Sequence, residues 1–322
     1  MKVFVAGANG AIGIHLTRLL IARGHSVIGL IRDSLGAPGL RAIGAQPIVA
    51  DALDRNGLLR AVDGLAADAI IHELTALRKP PLRPSGMALT NRLRTEGTAN
   101  LLAVADRLGA ARIVTQSIIL GYGYHDHGDL VLTEDAPFGV PAGDLTDEAV
   151  AAMHAAEAQT FTAREGIALR YGFLYGGDGA QMRAILAKRG VPVASGGLLG
   201  WVHHLDAAAA TVAALERGRP GQAYNIVDDQ PATWQEVFTA MAASFHVPPP
   251  HRVPRLLMRV IAPYVASFAV GTSMRVSNAK ARSELGWEPR FKTYRDGIAA
   301  MVAATPAEPG VLQTVAAAAL RR

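Results

Sequence analysis

Three glycines near the start of the chain have a spacing that suits the binding of a phosphate group. Gly7, Gly10 and Gly13 form a G-x-x-G-x-x-G pattern that follows a short apolar run and precedes an amphipathic stretch. A strand, a glycine turn and a helix N-terminus together present backbone N–H groups and the positive helix end to an anion. The pattern therefore predicts a dinucleotide pyrophosphate site, with a merely structural turn as the alternative. The residues assigned to this site are Gly7, Asn9, Gly10, Ala11, Ile12 and Gly13.

A charged residue indicates which dinucleotide is bound. Arg32 ends the second apolar run, about twenty residues after the glycine loop, where an acid usually meets the ribose of NAD or a cation the 2′-phosphate of NADP. The guanidinium of Arg32 favours NADPH/NADP. Asp33 would repel that phosphate if it pointed inward, so NAD remains the alternative.

Two further strand ends are expected to contact the same cofactor. Asp51 and Ala52 end the third predicted strand, where the adenine edge is usually met. The segment that ends the fourth strand is expected near the nicotinamide-side ribose, and its cofactor residues are Leu74, Thr75 and Ala76. His72 lies beside them without a charged partner, which favours a buried structural histidine over a catalytic one.

These residues require a parallel sheet to bring them together, and the rest of the chain predicts one. Short apolar runs alternate with helical patterns, which is typical of a doubly wound α/β fold. The predicted strands are Met1–Ala6, Ser26–Ile31, Gln46–Ala50, Ala69–His72, Arg112–Gln116, Ile167–Tyr171 and Gln222–Ile226. The clearest predicted helices are Ile14–Arg23, Leu93–Leu108 and Asp147–Glu165.

The alternation weakens after Gly176, which indicates a second, smaller unit. We expect a Rossmann-like, NADP-binding domain over 1–176 and 201–227. A discontinuous C-terminal substrate lobe is predicted over 177–200 and 228–302, above the carboxyl edge of the sheet. The Ala-rich tail 303–322 is assigned no function.

Composition narrows the class of protein. The chain has 322 residues, of which 50% are apolar and 18% charged, so it holds enough apolar residues for a large core. The absence of cysteine excludes disulfides, thiolate metal sites and cysteine nucleophiles, and is consistent with a cytoplasmic location. No apolar run is long enough to span a membrane or to act as a targeting signal.

Charge and histidine patterns suggest no macromolecular or metal partner. The net charge is +5, but the arginines are scattered, which argues against a nucleic-acid footprint. His125-Asp126-His127 follow one another on a predicted loop, and adjacent ligands seldom complete a metal site. We therefore expect a small-molecule substrate, no bound metal, and a monomer or homodimer.

Several motifs in series resemble one enzyme family. The chain is similar to the extended or atypical short-chain dehydrogenases/reductases, which include sugar-nucleotide epimerases, dehydratases and flavonoid-type reductases. Besides the glycine loop, the motifs that carry the resemblance are Glu96-Gly97-Thr98-Ala99-Asn100-Leu101-Leu102, Ile113-Val114-Thr115-Gln116-Ser117, Arg170-Tyr171-Gly172-Phe173-Leu174-Tyr175-Gly176, Trp201-Val202-His203-His204-Leu205-Asp206, Ala223-Tyr224-Asn225-Ile226 and Ala279–Trp287. The resemblance adds Gln116, Tyr171, Gly172, Phe173 and Leu174 to the expected cofactor residues.

The catalytic residues of that family are only partly present. The family uses a Ser, a Tyr that protonates the carbonyl oxygen, and a Lys four residues later. If Glu157 is matched to the acid that follows them, the Tyr and Lys positions hold Ala149 and Met153. Ser117 keeps the serine position and is expected to hydrogen-bond the carbonyl. Tyr122 is a further candidate proton donor, and its neighbour Tyr124 is another.

This departure resembles a small group of atypical ketoreductases that act on aromatic polyketides in antibiotic biosynthesis. The expected function is therefore NADPH-dependent reduction of a ketone on a bulky aromatic substrate. Met153, Met182 and Trp201 are expected to line its pocket, although ordinary core positions are the alternative. A catalytically inactive NADP sensor is the rival function. A nucleotide-sugar epimerase or dehydratase is disfavoured because those reactions normally use the missing pair.

Overall fold

The computed structural model describes residues 1–77 and 80–305. Most of the 303–322 tail therefore lies outside the described residues. The strands are β1 (Lys2–Ala6), β2 (Ser26–Ile31), β3 (Gln46–Val49), β4 (Ala69–His72), β5 (Arg112–Ile118), β6 (Asp126–Leu132), β7 (Glu165–Tyr171), β8 (Phe173–Tyr175), β9 (Leu198–Leu199), β10 (Trp201–His203), β11 (Gln222–Ile226), β12 (Ala232–Thr233) and β13 (Ser273–Val276).

The helices between these strands follow the same alternation. They are α1 (Gly13–Ala22), α2 (Ala37–Ala42), α3 (Arg55–Ala61), α4 (Ala88–Arg92), α5 (Thr98–Leu108), α6 (Asp147–Thr160), α7 (Gly179–Ala187), α8 (His204–Arg217), α9 (Trp234–Ser244), α10 (Arg255–Ile261), α11 (Pro263–Ala269), α12 (Ala279–Leu285) and α13 (Tyr294–Ala304). Three 3-10 turns lie at Ser34–Gly36, Pro84–Met87 and Ile119–Tyr122, and a π-helical turn at Leu93–Gly97.

In the described residues, seven strands form one parallel sheet in the order β11–β7–β5–β4–β1–β2–β3. β1 lies between β2 and β4, so the strand order reverses beside it. In open α/β sheets, ligands bind at the carboxyl ends of the strands where the order reverses. The predicted doubly wound, Rossmann-like sheet is confirmed, and its switch point lies at the glycine loop.

Helices cover both faces of this sheet, which explains the continuous apolar runs of its strands. Val3 and Val5 of β1 pack with α1 and α8, whereas Phe4 and Ala6 pack with α3 and α5. All four side chains are fully buried. Burial of one large apolar side chain contributes about 1.5–3 kcal/mol. The strand ends, and the loops that follow them, are therefore held in fixed positions.

A third apolar cluster joins the end of β5 and α6 to elements from the second half of the chain. We call it the lobe cluster, and its larger members are Tyr122, Met153, Trp201, Trp234, Phe238, Met258, Tyr264, Phe268, Met274 and Met301. Short strand pairs connect it to the sheet: β8 with β10 and β6 with β13 in parallel, and β9 with β12 antiparallel. The exact boundaries of the two predicted units stay predictions.

Two predicted helices have different ends in the structure. The predicted helix Leu93–Leu108 is divided into the π-helical turn and α5. The predicted helix that runs to Glu165 ends at Thr160 instead, because the chain turns tightly there. A Cβ on Gly166 would overlap the Thr160 carbonyl, and Glu165 already begins β7.

Candidate active site

The glycine loop brings two strand ends and a helix N-terminus into close contact. Gly7 has a φ of +88°, and a Cβ there would lie 2.7 Å from the carbonyl oxygen of Glu73. A Cβ on Gly13 would overlap the carbonyl oxygen of Gly7. Gly10 closes the turn by donating its N–H to that same oxygen at 2.9 Å. The loop therefore leaves only backbone at these three positions, and their predicted contact with a phosphate stays a prediction.

A cleft of about 560 Å³ opens at this loop. Asn9, Gly10 and Ala11 line it together with the N-terminal ends of α7 and α8. The helix ends carry partial positive charge, which stabilises an anion placed between them. This donor set fits the pyrophosphate of a dinucleotide.

Arg32, which is expected to favour a 2′-phosphate, and Asp33, which would repel it, have different surroundings. Arg32 is exposed at the end of β2. The Asp33 carboxylate accepts the Leu35 N–H at 2.9 Å and caps the 3-10 turn at Ser34–Gly36. The Asp33 side chain is therefore held by its own turn.

The end of β3 is tied to α5. The Asp51 carboxylate accepts the Leu53 N–H at 2.9 Å, and the buried Ala52 presents its carbonyl to Asn100 Nδ2 at 2.8 Å. Both predicted adenine-side residues thus lie at the carboxyl edge of the sheet.

A buried carboxyl lies beneath the glycine loop, where the sequence assigns no function. Glu73 follows β4, and its Oε1 is hydrogen-bonded to the Tyr171 hydroxyl at 2.8 Å. Tyr171 also contacts the Thr211 hydroxyl at 2.6 Å, which donates to the Ala207 carbonyl. Burial raises the pKa of Glu73 to about 8. The Tyr171 hydroxyl thus donates to the Glu73 carboxyl and contacts the Thr211 hydroxyl, so the three side chains form one buried hydrogen-bonded row.

Side-chain contacts hold the loop after β4 in place. His72 Nδ1 accepts the Leu74 N–H at 3.2 Å, and burial lowers the pKa of His72 to about 4. Gln116 donates to the Leu74 carbonyl, and Ala76 donates its N–H to the Thr90 hydroxyl at 3.3 Å. His72 therefore stays neutral and supports the backbone of Leu74, as expected for a structural histidine.

The segment after β7 leaves the main sheet. A Cβ on Gly172 would lie 2.8 Å from the Gly200 carbonyl oxygen, which explains the need for glycine. Phe173 packs between Trp201 and Phe268 in the lobe cluster, whereas Leu174 is exposed. Their predicted contact with the cofactor stays a prediction.

Ser117 presents a free hydroxyl at the end of β5. The residue is 6% exposed, and its Oγ is buried without a hydrogen-bond partner among the described residues. Helix α6 packs against β5, and the Thr160 hydroxyl donates to the Thr115 hydroxyl at 2.8 Å between them. On α6, Ala149 and Met153 are 2% and 1% exposed. The face of α6 at these two positions is therefore apolar and buried.

A buried ion pair fixes the position of α6. Glu157 and Arg170 form a salt bridge of 2.8 Å, and the Arg170 Nη1 also donates to the Tyr122 hydroxyl at 2.9 Å. Tyr122 in turn donates to Asn225 Oδ1 at 2.8 Å, and burial raises its pKa. The Tyr122 hydroxyl thus donates its proton to a protein acceptor, which argues against the predicted role of Tyr122 as proton donor to the substrate.

The remaining predicted pocket residues lie at different depths. Met153 and Trp201 are almost fully buried, and the Trp201 indole donates to the Ala232 carbonyl at 2.9 Å. Met182 is only partly buried at the margin of the lobe cluster. Of the three, Met182 alone retains exposed surface for a ligand.

A second group of polar side chains joins Tyr124, which the sequence singles out, to two residues that it does not, Arg94 and Tyr264. The hydroxyls of Tyr124 and Tyr264 are 2.7 Å apart, and Arg94 lies close enough to influence the pKa of both. Tyr264 belongs to α11, far away in sequence. No local sequence pattern predicts this contact. The one available indication is an arginine two residues before the motif Glu96-Gly97-Thr98.

The histidine segment after Tyr124 differs from the expected loop. His127 lies in β6, which pairs with β13, and its mostly exposed residues give no alternating pattern. Within residues 1–77 and 80–305, no three His, Asp or Glu side chains are grouped to hold a metal ion. Nor does that part of the chain contain a helix long and apolar enough to cross a membrane.

Comparison with known proteins agrees with this geometry. A family model described as the NAD dependent epimerase/dehydratase family matches residues 3–227. A 3-diazoavenalumate denitrifying reductase from Streptomyces sp is 38% identical over 92% of this chain and 99% of the relative. A 4-hydroxy-2-methyl-3-oxo-4-farnesyl-3,4-dihydroquinoline-1-oxide ketoreductase from Stigmatella aurantiaca is 27% identical over 97% of this chain and 99% of its own.

Solved structures match the fold over most of the chain. A dTDP-glucose 4,6-dehydratase from Streptomyces venezuelae, with NAD and TYD bound, has a TM-score of 0.76 at 21% identity. The match covers 94% of this chain and 96% of the dehydratase chain. The UDP-glucose 4-epimerase from Bifidobacterium longum, in complex with NAD+ and UDP, has a TM-score of 0.74 at 20% identity, with 94% and 97% coverage. These likenesses establish the shared architecture.

Proposed function

Because the chain belongs to the NAD dependent epimerase/dehydratase family, we propose that it is a nicotinamide-dependent reductase whose own side chains supply no Tyr–Lys acid to the substrate. The apolar face of α6 carries this proposal. Ala149 and Met153 occupy the positions that the family resemblance assigns to Tyr and Lys, and both are buried. Helix α6 contains neither residue type. The substrate must therefore provide its own activation.

NADPH is the cofactor that we propose for this site. The glycine loop would hold the pyrophosphate, and Arg32 would meet the 2′-phosphate while Asp33 stays engaged with Leu35. When bound, the reduced cofactor supplies a hydride equivalent. The buried hydrogen-bonded row Glu73–Tyr171–Thr211 lies below the glycine loop and would hold the loop in position.

An aromatic ketone is the first substrate class that we propose. The free Ser117 hydroxyl would donate a hydrogen bond to the carbonyl oxygen, and a phenol beside that carbonyl on the substrate would supply the proton. A missing general acid costs roughly 10²- to 10⁴-fold in rate. Orientation in a fixed pocket can offset part of that cost. The relative named as a ketoreductase supports this class.

An aromatic diazo group is the second candidate, and the relative at 38% identity favours it. A diazonium ion that gains one hydride equivalent, that is two electrons and one proton, from NADPH becomes an arene; the C–N bond breaks, N2 leaves and NADP+ is formed. No oxygen has to be protonated in that reaction, so a site without an acid is sufficient. In this case Ser117 would contribute little to the rate.

Incubation of the protein with NADPH and two matched aromatic substrates tests the proposal. One substrate carries a ketone beside a phenol, and the other carries a diazonium group beside a phenol. We expect loss of the nicotinamide absorbance with one of them, together with the alcohol or the nitrogen-free arene by mass spectrometry. The parent phenol without either group is the control. Tight NADPH binding without turnover of either substrate would favour the sensor, and no binding of NADPH or NADH would overturn the proposal.

A further inference from the structure

Arg94 is a partly buried cation to which the described residues give no acidic partner. It lies in the π-helical turn Leu93–Gly97, and its Nη1 is buried with no hydrogen-bond partner among the described residues. Nor does the described chain give it an ion pair with a carboxylate, unlike Arg170 with Glu157. A buried guanidinium that lacks an acceptor costs free energy, so its presence calls for an explanation.

The tyrosine pair beside Arg94 adds a further donor. Two hydroxyls that contact each other share one proton between them, so either Tyr124 or Tyr264 keeps an O–H without an acceptor among the described residues. Burial raises the pKa of both tyrosines, so both stay protonated at neutral pH. Arg94 and the tyrosine pair thus present N–H and O–H donors; the exposed Asp144 also acts on Tyr124, but its carboxylate accepts from the Thr146 N–H and hydroxyl. Such a set is suited to an anion.

Packing places these donors next to the proposed reaction site. The π-helical turn packs against α6, and α6 packs against β5 and the 3-10 turn Ile119–Tyr122. Tyr124 follows that turn directly, whereas Tyr264 comes from α11 of the second half of the chain. The donors therefore lie where the sheet meets the lobe cluster, on the same side as Ser117.

We propose that Arg94 and the Tyr124–Tyr264 pair bind a carboxylate group of the substrate. A carboxylate matches the planar fork of a guanidinium and accepts the tyrosine O–H as well. The inference rests on the proposed function and narrows its substrates to aromatic carboxylic acids. The carboxylate anchors the ring and takes no part in the reduction.

Titration calorimetry with 4-hydroxycinnamate and its methyl ester tests the anion site, because the ester lacks the negative charge of the acid and carries one additional methyl group, and Arg94→Met separates the two differences. With NADP-saturated wild type, we expect the acid to bind roughly 10- to 100-fold more tightly than the ester. In Arg94→Met the two probes should bind equally, and Arg94→Lys should retain part of the preference. Arg107→Met, an exposed position paired with Asp63, is the matched control and should keep the full preference.

Thermal unfolding separates this role from a structural one. Arg94→Met removes a buried charge without a partner, so its melting temperature should equal or exceed that of wild type. A large loss of stability would indicate a structural arginine and would overturn the inference. So would equal binding of acid and ester by wild type, or no binding of the acid.

The cofactor is tested separately. NADPH binding is followed by its own fluorescence, and the acid–ester comparison is repeated on cofactor-free protein. Failure to bind NADPH would overturn the proposed function, whereas NADPH binding without an acid preference would overturn only the carboxylate site.

Discussion

The glycine-loop end of the sheet and the β5–α6 end are built under different constraints. Around Gly7 and Gly13 the backbone approaches itself so closely that a side chain has no room. Around Ser117 and Met153 the buried side chains determine whether the site is polar or apolar. A fold can therefore keep its cofactor loop unchanged while the reaction site beside it acquires different chemistry.

At the β5–α6 end, where side chains determine the site, removal of a single buried charge should lower the free energy of unfolding most. In Glu157→Ala, Arg170 stays buried without its partner, and we expect a loss of about 3–5 kcal/mol in the free energy of unfolding. Denaturant unfolding measures it. Glu96→Ala breaks the exposed pair with Arg92, which solvent screens, and should cost far less than the loss of the buried pair. Similar losses in the two variants would contradict the structural role of the buried pair.

The backbone-dependent end should fail when one carbon atom is added. Gly13→Ala forces the loop apart at the Gly7 carbonyl, and we expect kcat/KM for the reduction to fall roughly 100-fold. Steady-state kinetics with varied NADPH measures the fall. Gly39→Ala, in α2 with no atom near the added carbon, should leave kcat/KM unchanged and raise stability slightly. A Gly13→Ala enzyme with wild-type kinetics would show that the close approach is dispensable.

Buried Glu73 lies beside the glycine loop and is hydrogen-bonded to Tyr171 of β7. Its ionisation should make the free energy of unfolding depend on pH. The unfolded chain loses this proton near pH 4.5, whereas the folded protein retains it to about pH 8. The stability that Glu73 contributes is therefore fully present below pH 4.5 and is lost as the pH rises toward 8. Between pH 5 and pH 6.5, wild type should lose about 2 kcal/mol relative to Glu73→Gln.

Glu73→Gln is a suitable reference because its amide oxygen can still accept the hydrogen bond that the Tyr171 hydroxyl donates to Glu73. Urea unfolding of both proteins across this pH range gives the difference directly. A constant difference in the free energy of unfolding would show that Glu73 ionises normally in the folded state.

The smallest effect is expected at Ser117. Ser117→Ala removes a buried hydroxyl that has no hydrogen-bond partner within residues 1–77 and 80–305, so the free energy of unfolding should rise by up to about 1 kcal/mol. If the substrate is a ketone, kcat should fall roughly 10-fold, since one hydrogen bond to the developing oxyanion is lost. Unchanged turnover of the ketone would remove Ser117 from the mechanism.

Features set by local sequence could be predicted, and those set by distant contacts could not. The seven sheet strands and the glycine loop follow from apolar runs and spacing, because a strand–turn–helix unit is local. β6 was missed because its side chains are mostly exposed and its partner β13 is far away in sequence. Arg94 and Tyr264 were missed for the second reason, since only packing brings them together.

The orientation of Arg94 toward the tyrosine pair depends on one extra residue in a helical turn. The π-helical turn Leu93–Gly97 widens the coil between α4 and α5, an arrangement common at functional sites. Deletion of a single residue there would restore the ordinary repeat and rotate α4 by about 100° relative to α5. Such a deletion would turn Arg94 away from the tyrosines while the motif Gly97-Thr98 stayed in place. Homologous chains that differ by one residue in this turn are therefore expected to prefer substrates without a carboxylate.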